Sequence, residues 1–252
     1  MRFASLGSGS RGNALVVEVG KTRVLLDCGY GPRILEARLA RAGLEPGDLD
    51  AILVTHEHAD HVGGVAACAR RFGVDVLLTH GTLASTALDD VTVRVIDSHA
   101  PFAIGDMELQ PFPVPHDARE PVQFVFSDGD HRLGVLTDAG CVTPHMVDML
   151  SGCEALVLEC NHDATLLAAG RYPQHLKHRI AGRFGHLDNA AAAQLLAQID
   201  RARLRHVVAA HLSQENNTPA LATGALAAVL GCTPDWIGVA DQDAGCGWRD
   251  VA

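Results

Sequence analysis

The chain has 252 residues, of which 48% are hydrophobic and only 4% aromatic, so it can bury an aliphatic core of ordinary size. The 30 acidic against 20 basic residues give a formal net charge of −10, which argues mildly against a polyanionic substrate unless positive charge is gathered locally. The cysteines form no C-x-x-C pair, the first residues do not resemble a signal peptide, and no apolar run approaches the ~20 residues of a membrane span. We therefore expect a cytoplasmic protein that makes no membrane contact, with residues 1–252 forming a single domain.

The first half of the chain alternates apolar runs with amphipathic segments. "NALVVEVG" and "TRVLLDCG" predict two strands joined by a tight turn at Gly20 and Lys21. "PRILEARLARAG" predicts a helix that begins at Pro32 and ends before Gly43. "DAILVT" then predicts a buried strand, and "HVGGVAACARRFG" the helix that follows it.

The second half has the same alternation. Strands are predicted by "DVLLTH", "VTVRVI", "MELQPFPVPH", "VQFVFSDG", "HRLGVLTDAG", "EALVLEC" and "RHVVAAHLS". Helices are predicted by "TPHMVDML", with Thr143 as N-cap, by "LDNAAAAQLLAQID", with Asp188 near its start, and by "TPALATGALAAVLG". Because strands precede helices in both halves, we expect an α/β sandwich of two sheets with helices on both outer faces.

Residues 55–64, "THEHADHVGG", place His56, His58, Asp60 and His61 directly after an apolar strand. A neutral imidazole binds a cation through one nitrogen, and two histidines two positions apart can share one side of an extended segment. Two pairs of ligands that point apart suit two cations about 3.5–4 Å from each other. Composition alone would produce H-x-H-x-D-H with a probability of roughly 0.004, so we favour a metal site over a loop of unrelated polar residues.

Three further residues close apolar strands downstream, namely His116, Asp138 and His211. Strand ends are where α/β folds gather functional groups. Any one of the three alone would more often be a cap or a surface residue, but together they predict the remaining ligands. Mixed imidazole and carboxylate ligands suit Zn²⁺, Mn²⁺ or Fe²⁺.

With these residues the chain resembles the metallo-β-lactamase superfamily. "THEHADH" is similar to its metal-binding loop, "PHD" to its next histidine, "LTDAG" to its bridging aspartate, "AAHLS" to its last histidine and "LLDCG" to its early aspartate. More narrowly, "GSGSRGNALVVEVG", "LECNHD", "YPQHLKHRI", "GHLDN" and "HLSQENN" resemble the YycJ/WalJ-type branch, whose members are regarded as nucleases or phosphodiesterases acting on DNA.

The resemblance implies a four-layer αββα sandwich of two mixed β-sheets that holds two divalent metal ions. The ligands it implies are His56, His58 and His116 at one metal, Asp60, His61 and His211 at the other, and Asp138 between them. It also implies that Asp27 organises the ligands from behind. Redox di-iron members of the superfamily carry a glutamate where this chain has His58, so that position favours hydrolysis.

The function that we expect is metal-dependent phosphodiester cleavage, as a DNA exonuclease, with a metal-bridging hydroxide as nucleophile. Asp60 is a candidate for orienting this hydroxide. His186 in "GHLDN" is a candidate for protonating the leaving group, with a turn-capping histidine as the alternative. Two other functions stay open: hydrolysis of a small ester, thioester or lactam on the same fold, and a non-catalytic metalloprotein that binds nucleic acid.

Substrate contacts are predicted at His186 and at four further positions. Lys177 and Arg179 lie in "RYPQHLKHRIAGR", a basic stretch without an acidic residue, where a phosphate backbone could bind. A solvated helix face is the alternative for this stretch. Asn161 and His162 follow a strand end and are candidates for substrate contact or for a structural role. DNA is the expected nucleic-acid partner, ahead of RNA.

Overall fold

The computed structural model describes residues 1–251, and its strands form two seven-stranded sheets. The first sheet consists, in spatial order, of β14 (Cys246–Asp250), β1 (Arg2–Gly7), β2 (Ala14–Val19), β3 (Thr22–Leu26), β4 (Ala51–Leu53), β5 (Asp75–Thr79) and β6 (Val93–Ile96). Pairing is antiparallel from β14 to β3 and parallel from β3 to β6. The sheet is therefore mixed, as predicted.

The second sheet has the same mixed character. Its spatial order is β13 (Gly238–Val239), β12 (His206–Ala210), β11 (Ala155–Glu159), β10 (Arg132–Leu136), β9 (Val122–Ser127), β8 (Met107–Pro113) and β7 (Phe102–Ile104). The strands from β13 to β10 are parallel, and those from β10 to β7 are antiparallel.

Helices cover the outer faces of both sheets. The helices within residues 1–251 are α1 (Pro32–Arg41), α2 (Ala59–Val62), α3 (Val65–Phe72), α4 (His80–Leu83), α5 (Pro144–Leu150), α6 (Ala164–Ala169), α7 (Gln174–Ile180), α8 (Asn189–Gln198) and α9 (Pro219–Leu230). One buried cluster lies between the sheets, a second packs α1 and α3 on the first sheet, and a third packs α5, α8 and α9 on the second sheet. These three cores separate four layers and confirm the αββα prediction. Within residues 1–251, no helix has the length and apolar character needed to cross a membrane.

Most predicted elements are found where the sequence places them. The β2–β3 hairpin turns at Gly20, which has φ 58°, and pairs Val19 with Thr22. Thr143 caps α5, since its side chain accepts a hydrogen bond from the backbone N–H of Met146. Strands β1, β7, β13 and β14 and helices α4, α6 and α7 are not among the predicted elements. β7, β13 and α4 are only two to four residues long, and β14 depends on pairing with the opposite end of the chain.

The helix predicted over "HVGGVAACARRFG" is wrong in one respect, because it is divided into α2 and α3 at Gly63 and Gly64. The backbone N–H of Gly64 donates to the carbonyl of Cys28 at 2.8 Å. A Cβ atom at position 64 would collide with the carbonyl oxygen of Tyr30. Glycine is therefore required there so that the segment after β3 can pack against the turn that carries His61.

Candidate metal centre

The carboxyl ends of the parallel strands meet at one edge of the sandwich and bring the predicted residues together. Three of these residues, Asp27, Asp138 and His211, follow β3, β10 and β12 and have left-handed backbones with φ of 60°, 56° and 55°. A non-glycine residue in this conformation costs on the order of 1–3 kcal/mol. Strain is thus concentrated at the strand ends where the site is built.

The first cluster consists of His56, His58 and His116, whose candidate ligand atoms lie within 4.8 Å of one another. His116 Nδ1 lies 2.9 Å from the carbonyl oxygen of Gly185, and donation to that oxygen leaves Nε2 free to face His58 Nδ1 at 3.1 Å. Burial lowers the pKa of His116, and burial together with the neighbouring His61 lowers the pKa of His56 well below its usual value. Burial therefore favours the neutral form of both rings, which is the form that binds a cation.

The second cluster consists of Asp60, His61 and His211. Asp27 Oδ2 accepts from His61 Nδ1 at 2.8 Å, so that His61 Nε2 faces Asp60 Oδ2 at 3.5 Å. Asp60 Oδ2 also lies 3.3 Å from His211 Nε2. Burial by itself would raise the pKa of Asp60, but the two histidines outweigh it and hold that pKa below its usual value. Asp27 thus contacts His61 on the ring nitrogen that faces away from Asp60.

Asp138 lies between the two clusters and is almost completely buried. Its Oδ2 is 2.8 Å from His61 Nε2, and its Oδ1 is 3.4 Å from His211 Nδ1. Burial would raise the pKa of Asp138, but His211 and His61 outweigh it and hold the pKa well below its usual value. Both carboxylate oxygens thus face histidines of the second cluster, and one of them also lies within 4.8 Å of the ligand atoms of His56 and His61.

Glu159 belongs to the same site and was missed by the sequence analysis. It ends β11, is completely buried, and accepts hydrogen bonds from the backbone N–H groups of Ala139 and Leu187 at 2.9 and 3.2 Å. Its Oε1 accepts from His186 Nδ1 at 2.8 Å. Burial lowers the pKa of His186, but Glu159 and Asp138 outweigh it and raise that pKa to about 10. The signal was present in "EALVLEC", where a carboxylate ends an apolar strand.

The residues of the site fit divalent cations. His56 Nε2 is buried without a hydrogen-bond partner among the described residues, although buried polar atoms are normally paired. Asp138 Oδ2 faces His61 Nε2 at 2.8 Å, but it has no donor there when His61 donates through Nδ1 to Asp27. His56 and Asp138 each belong to a group of at least three imidazole or carboxylate side chains whose ligand atoms lie within 4.8 Å. Cations coordinated by these atoms would satisfy both of them, and this ligand chemistry suits Zn²⁺, Mn²⁺ or Fe²⁺.

A cavity of about 360 Å³ opens above the clusters. His58, Asp60, Asp138, His186 and His211 line its charged side. Ser10, Asp117 and residues of the segment around α7 complete its lining. The cavity therefore joins both clusters and His186 in one reaction space.

Of the residues predicted to contact substrate, His186 lines the cavity, and the four others do not share one location. Arg179 lines the cavity, and its Nε donates to Asp117 Oδ2 at 2.6 Å. Lys177 points to a neighbouring cavity that His162 also lines, and its Nζ donates to the carbonyl of Ala168 at 2.6 Å. Asn161 is buried behind His211 and donates to its carbonyl at 3.1 Å. Of these four, only Arg179 is thus brought to the clusters from the open side.

Replacing Asp27 with asparagine is expected to weaken divalent-cation binding by about 10- to 100-fold, because an amide does not fix the His61 ring as the carboxylate does. Isothermal titration with Zn²⁺ or Mn²⁺ measures the change. Asp97→Asn is the matched control, since Asp97 is exposed and bonds only to its own loop. An affinity equal to that of the control would contradict this role of Asp27.

Comparison with known proteins agrees with the fold. The family model described as the β-lactamase superfamily domain matches residues 22–211. The chain is 35% identical over 237 residues to exodeoxyribonuclease YycJ of Bacillus anthracis, covering 91% of this chain and 89% of that protein. It is 33% identical over 228 residues to exodeoxyribonuclease WalJ of Streptococcus pneumoniae, covering 88% and 85%.

Among solved structures, the metallo-β-lactamase fold protein YhfI from Bacillus subtilis superposes with a TM-score of 0.76 at 14% identity, covering 98% of each chain. That identity establishes a shared fold alone, whereas the family model and the two sequence relatives establish descent. The chain therefore belongs to the metallo-β-lactamase superfamily, in the branch that contains YycJ and WalJ.

Proposed function

We propose that this chain, an enzyme of the metallo-β-lactamase superfamily, is a dinuclear metal-dependent phosphodiesterase that acts on DNA as an exonuclease. The observation that carries the proposal is the pair of histidine-rich clusters joined by Asp138 on one side of a single cavity. The names of the two sequence relatives, both exodeoxyribonucleases, support DNA as the substrate. Residues 1–252 act as one domain in this proposal.

The metal ligands that we propose fall into three groups. They are His56, His58 and His116 for one cation, Asp60, His61 and His211 for the other, and Asp138 between them. Two such cations would supply a water of lowered pKa as nucleophile and would stabilise the negative charge that develops on the phosphoryl oxygens. The three metals that suit these ligands are Zn²⁺, Mn²⁺ and Fe²⁺.

Other side chains orient the reacting groups. Asp60 borders the cavity and is placed to orient the attacking water. Glu159 engages His186 Nδ1, so Nε2 is the nitrogen that His186 has available to protonate the leaving oxygen. Asn161 holds the backbone of His211 from behind, which is a positioning role in place of the substrate contact considered from the sequence. Arg179, oriented by Asp117, is placed to bind a phosphate from the cavity wall.

The substrate class is tested by comparing three chromogenic or thiol-releasing substrates with added Mn²⁺ or Zn²⁺. Hydrolysis of bis(p-nitrophenyl) phosphate is expected, with turnover of a glutathione thioester and of a cephalosporin at least about 100-fold weaker in kcat/KM, because specificity follows transition-state binding. Elemental analysis of the purified protein identifies its metal, and end-labelled single- and double-stranded DNA then gives the polarity of digestion. Thioester or lactam turnover without phosphodiester cleavage would contradict the proposal and favour a small-molecule hydrolase.

A further inference from the structure

The cavity above the clusters has a second, apolar side. Tyr172, Leu176 and Ile180 stand four residues apart and all line this cavity, in the segment that contains α7. Leu176 and Ile180 lie on one face of α7, because they are four residues apart within the helix, and Tyr172 lies two residues before its first residue. All three are half-buried, so they form an apolar strip in the lining of the cavity. This strip is called the α7 strip below.

Within α7, the α7 strip occupies one face of the helix only. Gln174, Lys177 and His178 line the neighbouring cavity on the other side of α7. The polar groups of the helix are therefore turned away from the reaction space, with the exception of Arg179 at its border. An apolar strip beside a polar reaction centre is explained by a substrate that carries a flat apolar group next to the bond that reacts.

A nucleotide carries both a charged group and a flat apolar group. Its phosphate carries the negative charge that the cations and Arg179 attract, and its base carries a π-face that stacks on aromatic side chains. The cavity volume of about 360 Å³ falls at the lower end of the range of small-ligand sites, roughly 300–1,000 Å³. That space suits one nucleotide with its base turned out of the strand.

We propose that Tyr172, supported by Leu176 and Ile180, stacks on the base of the nucleotide whose phosphate lies at the metal clusters. This inference rests on the proposed phosphodiesterase function and specifies its substrate. A base that stacks on the α7 strip is no longer stacked on or paired with other bases of the DNA. The enzyme therefore acts on a terminal nucleotide that is unpaired at the moment of cleavage.

The test compares two esters with the same leaving group, p-nitrophenolate. One is a thymidine p-nitrophenyl phosphate, taken as the 5′ or the 3′ ester according to which is the better substrate, and the other is methyl p-nitrophenyl phosphate. Tyr172→Ala is expected to lower the thymidine-to-methyl ratio of kcat/KM by about tenfold, because stacking of one base contributes about 1–3 kcal/mol. Tyr172→Phe is expected to keep the ratio. His175→Ala is the matched control, since His175 is exposed on the same helix and lines neither cavity.

A ratio that is the same in wild type and Tyr172→Ala would overturn the stacking inference and leave the phosphodiesterase proposal intact. A wild type that hydrolyses neither ester would contradict the phosphodiesterase proposal, and binding then decides the inference. Fluorescence anisotropy is used with single-stranded oligonucleotides that have non-hydrolysable methylphosphonate ends and carry either a terminal thymidine or a terminal abasic residue. Tighter binding of the thymidine oligonucleotide that is lost in Tyr172→Ala supports stacking, and equal dissociation constants in wild type overturn it.

Discussion

Replacing Asp60 with alanine is expected to lower kcat for phosphodiester hydrolysis by about 1000-fold, which corresponds to about 4 kcal/mol of lost transition-state stabilisation. Asp60 Oδ2 lies within 3.5 Å of both His61 Nε2 and His211 Nε2 and borders the cavity. Its loss would remove one of the anionic ligands that we propose and the group proposed to orient the attacking water. Stopped assays with bis(p-nitrophenyl) phosphate, together with elemental analysis of the variant, measure both effects.

Asp97→Ala is the control for this experiment, because Asp97 is an exposed aspartate outside the cavity. We expect this variant to keep wild-type kcat and wild-type metal content. An Asp60→Ala enzyme that retained more than a tenth of wild-type kcat would show that the carboxylate takes no essential part in the reaction.

Replacing Glu159 with alanine is expected to lower the free energy of unfolding by about 3–5 kcal/mol, as happens when one partner of a buried charged network is removed. The substitution leaves the backbone N–H groups of Ala139 and Leu187 and the His186 ring without their shared acceptor. Each buried donor left unpaired costs about 1–3 kcal/mol. Urea denaturation followed by circular dichroism measures the change.

Glu159→Gln should lose less stability than Glu159→Ala, because the amide retains one oxygen that can accept from Ala139 or Leu187. Glu36→Ala is the matched surface control, since Glu36 makes an exposed ion pair with Arg71 that is expected to contribute only about 0–1 kcal/mol. If Glu159→Ala were no more destabilising than Glu36→Ala, the network around Glu159 would not contribute to the stability of the fold.

Local sequence signals predicted the sandwich and the residues of the two clusters. A polar side chain that follows a continuously apolar strand marks a strand end, and parallel strands then bring such ends to one edge. His116, Asp138 and His211 are recognisable on this basis from their positions in the sequence alone. Their roles as ligands stay predictions until the metal content is measured.

Contacts that depend on packing between distant segments could not be predicted. Asn13, in the loop "GSGSRGN", places its Nδ2 within 3.0 Å of His61 Nε2, and nothing near position 13 indicates this contact. Lys177 and Arg179 lie close together in a basic stretch, which predicts the same phosphate contact for both. Residues two apart on a helix point about 200° apart, and this rotation directs them to different cavities.

The left-handed backbone conformation at Asp27, Asp138 and His211 implies a trade-off between the thermal stability of this protein and the chemistry of its site. Asparagine and glycine adopt that conformation at lower cost, so selection for stability alone would favour them at all three positions. Retaining two carboxylates and an imidazole there keeps the chain below the stability that its architecture would otherwise allow. Cations bound by the folded form alone would restore part of that difference, so metal supply would then affect how long the enzyme survives as well as how fast it works.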